Sequence, residues 1–279
     1  MRSATLPSVG RRRCFAKLWR RGWGCTSRTT PSAVRCISAS TPGTAPGTCC
    51  GPIRTERKKR WIRRQIAKLP ERSVILAQDE TDLLFFPPLR AGWAPRGEQA
   101  KVWLTGRNAS RVLFGAINLR TGHRVLLCRN RQRAPDFCAF LQMVRRSYRG
   151  HHVALILDSD TSHTAQASQR LAAKLGITLL WLPTRSPHLN PMDHLWRDVK
   201  QNVCANRQDT SIDALVARVL RHIQRLPPRS ALRKAGVLSR RFWLRSALSK
   251  YFRRPTTTVS GRAAGAAGRL PYVIICDHM

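Results

Sequence analysis

Two short apolar runs constrain the fold of this chain more than any other feature. Val153–Leu157 passes without a polar interruption and ends on Asp158, and Ile177–Leu182 is apolar but for Thr178 and ends on Pro183. An uninterrupted apolar run of this length reads as a strand covered on both faces. Between the two runs, Thr164–Leu175 has helical spacing and stops at Gly176. The remaining elements build outward from this centre. Glu56–Leu69 is a basic helix ended by Pro70, and Ser73–Gln78 is a strand. Arg111–Leu119 and Arg124–Cys128 form a hairpin through Thr121-Gly122. Pro135 opens a helix to about Arg149 with Phe137, Phe140, Leu141 and Val144 on one face. Pro191 opens another to Lys200, and Ser211–Leu226 is amphipathic through Ile212, Leu215, Val216, Val219 and Ile223. Strand, hairpin, helix, strand, helix, strand, helix is the order of an α/β mixed sheet with helices on both faces.

Charge then narrows the partners. The 279 residues carry 51 Lys and Arg against 14 Asp and Glu, a formal net charge of +37. A balance this basic points to a polyanion, with nucleic acid the commonest; the plain alternative is a small structural nucleic-acid binder. All the acids fall at or after Glu56, and only Asp277 lies beyond Asp213. Acids kept against such a background are candidates for a defined task. Nine cysteines, five of them within the first fifty residues, form no Cys-x-x-Cys pair. Reduced thiols in a cytoplasm are therefore the expectation, with no zinc site. No apolar stretch approaches the roughly 18 residues of a membrane span.

Three acids stand out by setting. Asp79 follows the apolar run from Val74, Asp158 follows Val153–Leu157, and Asp193 lies in Ser186-Pro-His-Leu-Asn-Pro-Met-Asp193-His-Leu-Trp196. Two carboxylates at the C-terminal ends of neighbouring strands project into one crevice, and Asp193 reaches it from the side. Carboxylates that close repel unless cations neutralise them. An all-oxygen set selects Mg²⁺ or Mn²⁺, and two such ions suit cutting and joining of phosphodiester bonds. Taken singly, each Asp has a plainer reading as a turn, cap or first-turn residue. Asp160 and Asp198 compete for the same role; Asp198 falls on another helix face from Asp193. Trp196 reads as core, while Trp93, in a Gly/Pro turn, can pack either way.

These residues resemble the catalytic domain of mariner-like bacterial insertion-sequence transposases of the DDE/DDD type, the insertion-sequence 630 family. Four segments carry the resemblance: Gln78-Asp79-Glu80-Thr81, Gly92-Trp93-Ala94-Pro95-Arg96-Gly97, Leu157-Asp158-Ser159-Asp160-Thr161-Ser162-His163, and the Ser186–Trp196 motif. Ser159 stands where the family has Asn. Asp193 stands where insertion-sequence members have Glu and mariner relatives have Asp, with the same 34 residues (159–192) between the last two acids. The resemblance implies a ribonuclease-H-like fold, with Asp79, Asp158 and Asp193 as catalytic residues and ligands of two Mg²⁺ or Mn²⁺ ions. It also implies a homodimer that cleaves double-stranded DNA at terminal inverted repeats and transfers it to TA-containing targets, in a bacterial cytoplasm at the nucleoid.

For DNA contact the candidates are Arg185 beside the third motif, His163, which orients a ligand or meets DNA and has the plainer reading of a polar residue at a helix start, and the basic run Arg57, Lys58, Lys59 and Arg60. The run has the plainer reading of a solvated helix face. Domain expectations are a basic, low-complexity segment 1–53, a linker helix 54–72, a catalytic domain 73–210, C-terminal helices 211–254 and a disordered tail 255–279. Family members carry helix-turn-helix modules upstream; residues 1–53 show no such periodicity and read as disordered or as a frameshifted stretch. Two further functional readings stay open: a DNA-binding remnant without catalysis, and a stand-alone ribonuclease-H-like nuclease.

Overall fold

The computed structural model describes residues 51–252, so the expectations for residues 1–50 and for the tail from 255 lie outside the described residues. Helix α1 (Gly51–Lys68) leads into a five-stranded sheet of β1 (Val74–Leu84), β2 (Ser110–Asn118), β3 (Arg124–Arg129), β4 (Val153–Leu157) and β5 (Ile177–Trp181). The strand order is β3-β2-β1-β4-β5. β1–β2–β3 run antiparallel, while β4 and β5 add parallel to β1. Helices α2 (Ala134–Ser147), α3 (Thr161–Thr164) and α4 (Gln166–Lys174) connect β3 to β4 and β4 to β5. After β5 come α5 (Pro191–Val199), a π-helical turn (Lys200–Cys204), α6 (Ile212–Arg225), α7 (Pro228–Lys234) and α8 (Arg245–Phe252).

Strand alternation sorts the sheet into two apolar faces. Leu76, Phe114, Leu127, Leu155 and Leu157 meet Phe137, Phe140 and Val144 of α2. Ile75, Ala77, Leu113, Ile117 and Ile156 face the other way, onto Met192, Leu195 and Trp196 of α5 and onto α6. Trp196 is therefore core, whereas Trp93 is fully exposed. Among the described residues no helix is long and apolar enough to cross a membrane.

Three elements depart from the sequence expectation. Helix α1 begins at Gly51, inside the 1–53 segment read as disordered or frameshifted. β1 does not stop at Gln78 but runs on to Leu84, because its antiparallel ladder with β2 continues from Leu76↔Asn118 to Leu84↔Ser110. Asp79 thus sits inside a strand rather than at its end. Pairing to a neighbour overrides the low strand preference of Asp and Glu. The helix expected at 164–175 begins earlier, at Thr161, and is broken at Ala165, whose ψ of 137° is extended. Ser168 Oγ donates to the Ser162 carbonyl at 2.7 Å across the break.

Local chemistry explains the other boundaries. The β2–β3 turn closes on Asn118, whose Oδ1 accepts from Arg120 N and Thr121 N, and then passes through Gly122 at φ 74°. A Cβ on Gly122 would lie 2.4 Å from the Pro228 carbonyl oxygen. The adjacent Arg124 is fully buried, and its guanidinium donates to the carbonyls of Gly122, Ile223 and Leu226. It therefore caps the C-terminus of α6, where the helix leaves carbonyls without partners.

Candidate active site

Asp79 and Glu80 are neighbours on β1, so their side chains leave opposite faces of the sheet. Asp79 projects toward α5, opposite Gly115 in the β1–β2 register. A Cβ at Gly115 would lie 2.5 Å from both Met192 Cε and Trp196 Cζ2. The missing side chain lets α5 settle directly on the sheet beside Asp79. Asp158 follows the last residue of β4, the strand next to β1. Asp79 and Asp158 line one cleft of about 230 Å³, together with Arg185, Ser186 and Asn190. Arg185 adopts φ 55°, an uncommon conformation for a residue with a side chain, and is exposed at this cleft.

The third acid comes in from α5. Asn190 caps that helix, accepting from Met192 N at 3.1 Å, and Pro191 takes its first position. The same Asn190 side chain donates to the Gln78 carbonyl at 2.8 Å. One buried amide therefore joins the start of the Asp193 helix to the residue preceding Asp79. Asp193 itself does not line the cleft. Its carboxylate pairs with Arg197 at 2.6 Å, one helical turn on.

Burial, and then the charges of Glu80, Asp158 and Asp193, push the Asp79 carboxyl up to about 8, against a weaker opposing pull from His163. A carboxyl held this high has too little positive charge around it. Asp79 and Asp158 form an all-oxygen pair of the kind that suits a hard divalent cation, while Asp193 acts on Asp79 through its charge from outside the cleft.

Behind the sheet, His163 is fully buried between two acids. Its Nε2 meets Glu80 Oε1 at 2.7 Å and its Nδ1 meets Asp158 Oδ1 at 3.0 Å. Burial alone would push the imidazole pKa down, but the hydrogen bonds and charges of Asp158 and Glu80 hold it up at about 10. Both ring nitrogens then donate, and the ring is a cation. Glu80, Asp158 and His163 have the grouping of a metal site, yet the imidazolium already fills the space between the two carboxylates. The expectation that His163 meets DNA does not fit this geometry, because no part of the ring reaches solvent.

The competing acids are occupied. Asp160 accepts from Ser162 N and Oγ as the cap of α3. Asp198 pairs with Lys234 at 2.5 Å and accepts from Asn202. On α1, Lys59 pairs with Glu56 at 2.6 Å, Lys58 lies over the Trp61 ring at 4.4 Å, and Arg57 and Arg60 are exposed. Lys59 also lines a second groove of about 370 Å³ with His188, His194 and Arg241.

Sequence reasoning missed Glu80 and Asn190. Asn190 had a signal, an Asn directly before a helix-opening Pro. Glu80 had none beyond its place after Asp79.

Residues 74–216 match the family described as DDE superfamily endonuclease. The chain is 26% identical over 156 residues to the insertion element IS630 uncharacterized 39 kDa protein of Shigella sonnei, covering 55% of this chain and 46% of that protein. It spans about half the length of the curated relatives it matches. Among solved structures it is similar to the Mos1 transposase paired-end complex with left transposon end, at TM-score 0.53 and 18% identity over 80% of this chain and 69% of that one. The mariner Mos1 paired end complex with Mg gives TM-score 0.54 and 18% identity, over 77% and 67%. The likeness to these structures is one of fold, the ribonuclease-H-like mixed sheet with helices on both faces.

Proposed function

The chain belongs to the DDE superfamily endonucleases, and from that premise we propose that it is a DNA transposase. It cleaves DNA strands at the inverted-repeat ends of an insertion sequence and joins them to TA-containing target DNA. It acts as a homodimer on double-stranded DNA at the nucleoid of a bacterial cytoplasm. Residues 73–210 form its catalytic domain. The observation that carries this reading is the shared cleft of Asp79 and Asp158 on adjacent strands, with Asp79 raised to about 8 by burial and by the neighbouring acids. The charge of +37 supports a DNA partner, and the Mos1 structures hold a transposon end in one case and Mg in the other.

In this proposal Asp79, Asp158 and Asp193 hold two Mg²⁺ or Mn²⁺ ions. Ions bound there would supply Lewis acidity at the attacking and leaving oxygens of the phosphodiester. The chain's own residues do the rest. Asp158 keeps Oδ2 for ligation, since among the described residues its hydrogen bonds fall on Oδ1. Asn190 ties the Asp193 helix to the Asp79 strand. Arg185, exposed at the cleft, binds a DNA phosphate. On α1, Arg57, Lys58 and Arg60 add phosphate contacts, with Lys59 contributing less because Glu56 already partners it.

The test is cleavage of supercoiled plasmid with Mg²⁺, followed by joining of a labelled 3′-hydroxyl end. Metal-dependent cleavage and joining that vanish in Asp158→Asn are the expected result. DNA binding without cleavage in either form would make the chain a binding remnant, and cleavage without joining would make it a nuclease.

A further inference from the structure

We propose that Glu80 and His163 act together as a strut that positions Asp158 for cation binding, the cation itself resting on the function proposed above. The strut is needed because of where the sheet stops. The parallel β1–β4 ladder ends at Ala77↔Ile156. Beyond it, Asp79 and Glu80 on β1 and Asp158 after β4 have no backbone pairing to fix their separation. His163 spans that gap from behind the sheet, with one ring nitrogen on each strand's acid.

Every part of the strut is fixed. Gln78 Nε2 donates to Glu80 Oε1 at 2.6 Å, so Glu80 is held within its own strand. The ring of Phe137 lies 4.3 Å from that of His163, tilted at 52°, and closes the far side of the imidazole. Asp160 caps α3 and so sets the turn that presents His163. Asp158, by contrast, is the exposed member, its side chain 56% accessible while that of His163 is 0%. Its Oδ1 accepts from His163 Nδ1 and from Asp160 N at 3.3 Å. Those bonds restrain the carboxylate through Oδ1 and leave Oδ2 for the cation. An exposed acid on a loop would otherwise sample several rotamers, and each bound cation would have to order it. Glu80 does not line the cleft, so its hold on Asp158 runs through His163.

The test is Mn²⁺ binding by the full chain, measured by calorimetry. Loss of a partner that orients a metal ligand weakens metal affinity about 10–100-fold. His163→Gln and Glu80→Ala should each weaken Mn²⁺ binding within that range, with DNA affinity unchanged. Glu80→Gln keeps the acceptor oxygen and should restore most of the loss. In an Asp158→Asn background, His163→Gln should add no further weakening, because the strut then has nothing to position. Should His163→Gln not fold, the Glu80 pair carries the same comparison.

Two results would overturn the strut alone: Mn²⁺ affinity in Glu80→Ala equal to that of the unaltered chain, or equal weakening by His163→Gln with and without Asp158. An unaltered chain that takes up no Mn²⁺ and cuts no DNA overturns the functional reading, and the strut with it.

Discussion

Removing the Asn190 side chain should separate two contributions that meet in one residue. Asn190 is almost fully buried. Its Oδ1 caps α5 through Met192 N, and its Nδ2 donates to the Gln78 carbonyl. Loss of an Asn cap costs about 0.5–2 kcal/mol. Depriving a buried carbonyl of its donor costs about 1–3 kcal/mol. Asn190→Ala should therefore destabilise the chain by roughly 2–4 kcal/mol. Asn190→Ser keeps an oxygen able to cap but cannot extend a donor to β1, so it should lose only the second part. Asn190→Asp also caps, but sets a carboxylate oxygen against the Gln78 carbonyl and should be worse than Ser. The assay is urea unfolding followed by tryptophan fluorescence, read as a shift in midpoint at constant slope. Mg²⁺-dependent cleavage is measured on the same proteins at a temperature where all are folded. Cleavage should fall in all three, because the Asp193 helix is no longer tied to the Asp79 strand. If Asn190→Ser lies within about 0.5 kcal/mol of the unaltered chain, the link to β1 contributes nothing and the reasoning fails.

Other consequences follow from the same structure. With Asp79 raised from 3.8 to about 8, the folded state keeps a proton that the unfolded state has released across that interval. Stability of the metal-free protein should therefore fall as pH rises through it. Asp79→Asn should flatten the slope of melting temperature between about pH 4 and 6, below the range in which His163 contributes its own loss. An unchanged slope there would refute the assignment. Arg124→Met removes the guanidinium that caps α6 and should lower stability by about 1.5–3 kcal/mol in chemical denaturation, since its hydrogen bonds come from a charged group. Replacing Arg57, Lys58 and Arg60 by Gln should reduce the salt dependence of DNA affinity by up to about 0.9 in log–log slope for each phosphate that the chain no longer neutralises. Lys59→Gln should change it less; equal effects from all four would show that the Glu56 pairing does not matter.

β4 was legible because five consecutive apolar residues leave little choice, and it runs over the residues its sequence marks. β1 was half legible. Its second half, Asp79–Leu84, is held by β2 rather than by its own side chains, and no local pattern announces such a partner. The same failure hid Glu80, whose significance comes from facing away from Asp79 toward a residue 83 positions on. His163 read as a polar residue at a helix start because nothing in the sequence shows that α3 turns it inward beneath Phe137. The break at Ala165 was invisible for a related reason: the hydroxyl of Ser168 that bridges it has its partner across the break. Asn190 carried the signal of a cap that went unread, and its second bond depends on α5 lying against β1.

Gly115 gives the site an unusual kind of vulnerability. A copy of this gene drifting without selection could keep every acid, every motif and every strand, and still acquire a single methyl group at this position. That methyl would overlap Met192 and Trp196, lift the helix that bears Asp193, and widen the spacing among the carboxylates. An inventory of catalytic letters would score such a copy as intact. Whether a relative of this chain has kept a working site is therefore to be read from a residue with no side chain, opposite the first acid, before it is read from the acids themselves.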